Sequence, residues 1–168
     1  MRFEIVTASP EMAKSIAKVH IKSWQSAYKD IIPQSFLENL SVENRANRYR
    51  FGNDRDEGHY FFVAKLDDKI IGLLHLCRCR DEDAQDKGEI SAIYLQPENW
   101  GKGYGRKMME YSLDLLKVEG YKKVVIWVLK DNKRTIDFYK KFGFGFDGRK
   151  KTIKLGKELT VARYSKNI

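Results

Sequence analysis

The chain has 168 residues, of which 42% are hydrophobic, and 32 lysines and arginines set against 23 aspartates and glutamates give a formal net charge of +9. That is enough chain for one domain with its own core, and its longest apolar stretches, such as 124–129, are strand-length, too short to cross a bilayer as a helix. The charge favours an anionic partner without choosing among nucleic acid, a membrane surface and a phosphorylated cofactor, and the first residues show neither an apolar h-region nor a small-residue cleavage site, so a cytoplasmic protein is expected.

Residues 2–6 alternate apolar Phe3 and Ile5 with polar neighbours, the period-two pattern of a half-buried strand. A helix follows, with Ser9 as its cap, Pro10 in the first helical position and Glu11 complementing the dipole. Met12, Ile16 and Val19 recur at helical spacing, while Ala13, Ala17, His20 and Trp24 line a neighbouring face. Pro33 restarts the chain into a short helix over 34–40, and Ser41 begins another. Residues 52–58 are polar and turn-rich. Strands over 60–66 and 69–79 flank Asp67-Asp68 as a hairpin; the second holds Cys77 and Cys79, a pair poorly placed for a disulfide and too few for zinc. Residues 80–87 read as an acidic loop. Residues 88–96 resume as a strand with Ile90, Ala92 and Tyr94 on one face and Ile93 and Leu95 toward the other.

Past Pro97, the spacing of Tyr104, Met108, Tyr111, Leu115 and Val118 predicts a helix that Gly120 stops. Residues 124–128 are continuously apolar and mostly β-branched, as in a strand covered on both faces. Asp131 or Asn132 caps a helix running to Lys141, Gly143 ends it, and residues 144–146 and 158–165 supply the last strands. The basic cluster Arg149-Lys150-Lys151 with Lys154 and Lys157 lacks interleaved aromatics and reads as solvated surface. No internal repeat, low-complexity tract or linker divides the chain, so residues 1–168 are expected to form a single domain. The order of elements indicates an α/β (α+β) class, a mixed sheet with helices on its faces.

The segment Trp100-Gly101-Lys102-Gly103-Tyr104-Gly105-Arg106 joins a strand to the longest helix. Alternate glycines let the backbone approach a ligand, and the free N–H groups and dipole of the helix start favour phosphate, with Lys102 and Arg106 adding charge. A flexible loop is the plain alternative. The Gly-Lys-Ser/Thr ending of a P-loop and the spacing of the dinucleotide fingerprint are both missing.

In these residues the chain resembles the GNAT superfamily of acyl-CoA-dependent N-acetyltransferases. Residues 90–95 with Pro97 and Gly101-Lys102-Gly103-Tyr104-Gly105-Arg106 are similar to its coenzyme motif. Asn132 to Ile136 and Phe138-Tyr139-Lys140-Lys141-Phe142-Gly143-Phe144 are similar to its next block. Trp24-Gln25-Ser26-Ala27-Tyr28 with Ile31-Ile32-Pro33 resembles a segment of bacterial members. One departure is Trp100, where the family usually has Gln or Arg, which implies the loss of one electrostatic contact to the pyrophosphate.

The resemblance implies a mostly antiparallel sheet of six to seven strands, about four flanking helices, and a splay between the fourth and fifth strands that holds acetyl-CoA as co-substrate. The coenzyme would touch Ile93, Tyr94 and Leu95 by its pantetheine, residues 101–106 by its pyrophosphate, and Asn132 and Tyr139. The expected chemistry is acetyl transfer to a primary amine of a small molecule or peptide by direct attack. An alkylamine of pKa about 10 must lose a proton first; Glu89 is the candidate base, directly or through water, and Tyr139 the candidate acid for the departing thiolate. Trp24 and Tyr28, with Phe36 and the acidic run Asp81-Glu82-Asp83, are the candidate acceptor site, and that acidic rim hints at a cationic acceptor. His20, His59 and His75 read as isolated, and no metal site is expected. A homodimer is common in the family. The rival classes are a regulatory CoA-binding module without catalysis and a basic nucleic-acid-binding domain.

Overall fold

The computed structural model describes residues 1–50 and 58–168. Of the turn-rich stretch expected at 52–58, all but Gly58 lies outside the described residues. The strands are β1 (Phe3–Thr7), β2 (His59–Leu66), β3 (Lys69–Arg78), β4 (Lys87–Leu95), β5 (Lys123–Leu129), β6 (Gly145–Lys154) and β7 (Glu158–Asn167). The helices are α1 (Ala13–Ala27), α2 (Gln34–Glu38), α3 (Val42–Tyr49), α4 (Tyr104–Val118) and α5 (Lys133–Lys141). Among the described residues the seven strands form one sheet in the order β1-β2-β3-β4-β5-β7-β6. Every neighbouring pair is antiparallel except β4 and β5.

Alternation along the strands feeds two core layers. Phe62, Leu74 and Leu76 face Met108, Met109 and Leu116 of α4, whereas Val63 and Leu73 face Ile16 of α1 on the opposite side. Full burial of each such side chain contributes about 1.5–3 kcal/mol. α4 lies so close to the sheet that a Cβ added at Gly72 would come within 2.9 Å of Met108 Cε. On the other face Ala13 and Ala17 of α1 pack against Ala46 of α3, small residues that let the two helices approach.

Several expectations are corrected by packing. Ser9 makes no cap hydrogen bond; the chain enters α1 through a 3-10 turn at Pro10–Met12 instead. The buried stripe of α4 is Met108, Met109, Ser112 and Leu116, and Val118 is 81% exposed. β6 runs ten residues, far beyond 144–146, because as an edge strand pairing β7 on one side it carries polar side chains along almost its whole length. On β4, Leu76 pairs with Ile90 but His75 with Ala92, so Ser91 is an extra residue, a β-bulge. The bulge reverses the alternation: Ile90 joins Ile93 and Leu95 under α4 and α5, while Tyr94 turns toward α1.

Candidate active site

The parallel pairing of β4 and β5 lasts for three residue pairs, Lys87–Lys123, Gly88–Val124 and Glu89–Val125, and then the strands part. β4 stays bonded to β3 as far as Leu95, and β5 to β7 as far as Leu129, so the gap opens between two firmly held edges. Residues 90–94 and 126–129 form its walls, and the cavity between them has a volume of about 200 Å³.

Beyond the C-terminal end of β4, Gly101 (φ 73°) and Gly103 (φ 83°) adopt left-handed backbone, and a Cβ on either would meet nothing within 4 Å. The constraint on these glycines is therefore conformational, and space stands open before them. Gly103 caps α4 with no side-chain cap bond, and the first intrahelical bond runs from Lys107 N–H to the Gly103 carbonyl, which leaves the N–H groups of the first turn facing outward. Arg106 forms an i, i+4 ion pair with Glu110 at 2.7 Å. Trp100 donates from Nε1 to the Leu95 carbonyl at 2.8 Å, and the Arg134 guanidinium sits 4.0 Å over its ring. The positive charge that Trp100 itself lacks is thus supplied beside the turn by a residue of α5.

α5 begins at Asn132, whose Oδ1 accepts from Thr135 N–H at 3.4 Å, so the capping role expected of it is present. One helical turn beyond Thr135, Tyr139 reaches the cavity; it is 6% exposed, and burial, followed by the nearby Tyr94, pushes its pKa up. Burial likewise raises the Tyr28 and Tyr94 phenols, so all three stay protonated at neutral pH. Trp24 and Tyr28 line the cavity from α1, edge to face with ring centroids 5.3 Å apart. Phe36 stands off its wall and packs under the β6–β7 turn, where a Cβ at Gly156 would meet Phe36 Cβ at 3.0 Å.

Glu89 is placed differently from a surface carboxylate on a strand edge. It is 4% exposed, inside the three-pair seam, and absent from the cavity wall. Its Oε1 accepts from Arg80 Nη2 at 2.7 Å and its Oε2 from Arg80 N–H at 3.2 Å. The same Nη2 reaches Ser91 Oγ, on the cavity wall, at 2.9 Å.

The acidic rim is also rearranged. Arg163, 4% exposed on β7, donates to Asp81 at 2.9 Å, to Asp83 at 2.7 Å and to Asp147 at 2.6 Å. Arg163 holds Asp83 well below the usual carboxylate range. For Asp81, burial works upward but is outweighed by hydrogen bonds from Arg163 and Trp127. These carboxylates are compensated within the fold. Nor are the histidines isolated. His59 Nδ1 lies 3.0 Å from His75 Nε2, across the β2–β3 register from Cys77, and the three donor groups are within 4.8 Å of one another. His20 Nδ1 bonds Tyr49 Oη at 2.7 Å. Lys151, which the sequence does not single out, also lines the cavity, from β6, with Nζ 4.1 Å from the Trp127 ring centroid. Nothing in a run of three basic residues marks one of them as facing inward.

Among the described residues no helix is long and apolar enough to cross a membrane. Comparison with known proteins agrees with the architecture. The family model described as the acetyltransferase (GNAT) family matches residues 21–144. The uncharacterized N-acetyltransferase YuaI of Bacillus subtilis (strain 168) is 31% identical over 135 residues, spanning 80% of this chain and 76% of that protein. A spermidine N(1)-acetyltransferase of Thermoplasma acidophilum is 24% identical over 149 residues, 86% of this chain and 89% of its own length. The crystal structure of the PaiA N-acetyltransferase from Thermoplasma acidophilum in complex with coenzyme A superposes with a TM-score of 0.79 at 21% identity, covering 100% of both chains. The chain belongs to the GNAT family of acetyltransferases.

Proposed function

We propose that residues 1–168 act as one N-acetyltransferase domain that moves an acetyl group from acetyl-CoA to a primary amine by direct attack in a ternary complex. The observation that carries this reading is the parting of β4 from β5 after three pairs, with the glycine turn at one end of the gap and Tyr139 inside it. Main-chain N–H groups of residues 103–106 bind the pyrophosphate, with Lys102 and Arg134 adding positive charge. The exposed strand edge around Ile93 and Leu95 pairs with the pantetheine amides, and Asn132 receives the same arm. Trp24 and Tyr28 hold the acceptor against the thioester.

The attacking nitrogen must arrive neutral, and its proton must leave the cavity. Both oxygens of Glu89 are engaged by Arg80, which keeps Glu89 from taking the proton directly; the proton passes to a water beside Ser91 and out to solvent, with the Glu89–Arg80 pair orienting that water through Ser91. The amine nitrogen forms a bond to the acetyl carbon, the carbon–sulfur bond breaks, and the departing thiolate receives a hydrogen bond from the protonated Tyr139 phenol. The chain has a buried thiol in Cys77, but burial pushes its pKa up to about 12, which suits it poorly as a covalent relay.

Isothermal titration with acetyl-CoA, followed by a thiol-release assay over amines, amino acids, polyamines and peptides, tests the reading. Binding and acceptor-dependent thiol release are expected. Lack of acetyl-CoA binding would end the proposal, and binding without thiol release for any acceptor would favour a regulatory coenzyme-binding module.

A further inference from the structure

A cationic side chain on the cavity wall narrows the substrate class of the proposed reaction, and that narrowing rests on the proposed reaction itself. Among the described residues lining the cavity, the one charged side chain is Lys151. Trp127 holds its ammonium at the wall, with Nζ 4.1 Å from the ring centroid. On the α1 side the Arg45 guanidinium lies 5.9 Å from the Trp24 ring centroid. Among the described residues, Asp81, Asp83 and Asp147 are engaged by Arg163 and Glu89 by Arg80, so none of these four carboxylates pairs with Lys151. Lys151 does act on Asp81 at a distance, yet that carboxylate already accepts from Arg163 and from Trp127 Nε1 at 3.1 Å. No ion pair among the described residues takes the Lys151 ammonium.

A polyamine bound here would bring a further ammonium group against Lys151, and the described residues place no carboxylate on the cavity wall to receive it. An acceptor bearing one anionic group would instead find a donor waiting, with apolar walls at Tyr28, Leu155 and Val161 for the rest of its body. We infer that the acceptor is a small primary amine that also carries a carboxylate on an otherwise apolar frame, an amino acid rather than a polycation, and that Lys151 is the residue that reads the carboxylate.

The test uses the full chain saturated with acetyl-CoA and measures thiol release with phenylalanine, its phosphonate analogue, phenylalaninamide and spermidine. The amide keeps the body and the amine but removes the anionic group. Phenylalanine should exceed phenylalaninamide in kcat/KM by about tenfold or more, chiefly through KM, as expected for one charge-assisted hydrogen bond. A phosphonate preferred over the carboxylate would overturn the choice of a carboxylate. Lys151→Gln should bring the acid-to-amide ratio toward one, and Lys151→Arg should restore most of it; a purely structural loss would lower both acceptors alike and leave the ratio unchanged. Preference for spermidine or the amide, or an unchanged ratio in Lys151→Gln, overturns the inference while leaving acetyl transfer standing. Thiol release from none of these or of a wider amine panel, with acetyl-CoA still bound, would instead remove the proposed function and this inference with it.

Discussion

Tyr139 and His20 are both buried and both shifted in pKa, with different consequences. The Tyr139 phenol lines the cavity and remains protonated, so its hydroxyl is available there as a donor, the property on which its proposed role toward the departing sulfur depends. Tyr139→Phe removes that hydroxyl and keeps the ring, and steady-state kinetics should show kcat lowered on the order of a hundredfold, while titration shows acetyl-CoA affinity within about twofold. Unchanged turnover would take Tyr139 out of the reaction. His20 is 5% exposed, and burial, then Arg45 and Arg48, hold its pKa down at about 3. The unfolded chain takes up that proton near pH 6.5, so the contribution of neutral His20 to stability is present above about 6.5 and is lost as the pH falls toward 3. Unfolding free energies from urea titrations should therefore decline between pH 6.5 and 4.5, by up to about 2 kcal/mol over that window, and His20→Gln should flatten the decline. An identical slope in the variant would assign the decline to other groups.

At the scale of elements, the strand–glycine turn–helix unit was legible because its signals are local: positive φ favours glycine, and a helix start leaves outward N–H groups. Gly103→Val forces a β-branched residue into left-handed backbone at a cost of about 1–2 kcal/mol, while its Cβ meets no neighbouring atom. Calorimetry should show acetyl-CoA affinity reduced about tenfold or more, with thermal unfolding only a few degrees lower. A fully retained affinity would mean that the turn is not where the coenzyme is held. The bulge at Ser91 was not legible, since Ile90-Ser91-Ala92-Ile93-Tyr94 fits either alternation until β3 supplies the register. The full length of β6 is hidden in the sequence for a related reason. A strand at the sheet's edge with polar side chains nearly throughout shows no hydrophobic period, and only its ladder with β7 defines it. Glu89 was legible as a carboxylate near the cavity, but its bridge to Arg80 depends on how the chain turns between β3 and β4, which residue spacing does not encode.

Across the whole molecule, Arg163 ties distant parts of the chain together. From β7 it binds Asp81 and Asp83 in the β3–β4 loop and Asp147 on β6, and Asp81 in turn accepts from Trp127 on β5. Arg163→Met would leave three partly buried carboxylates without their common partner. Denaturant unfolding should show a loss of about 3–5 kcal/mol. A loss below about 1 kcal/mol would mean that solvent had already compensated these charges.

The short seam between β4 and β5 makes the sheet, in mechanical terms, two panels: four strands on one side and three on the other, joined over three residue pairs. Acetyl-CoA bound in that gap, as proposed, would serve as a rivet as well as a reactant. The enzyme should be sturdier at work than at rest, by about 2.7 kcal/mol when acetyl-CoA stands at a hundred times its dissociation constant, and each release of product would loosen the joint until the next molecule closes it.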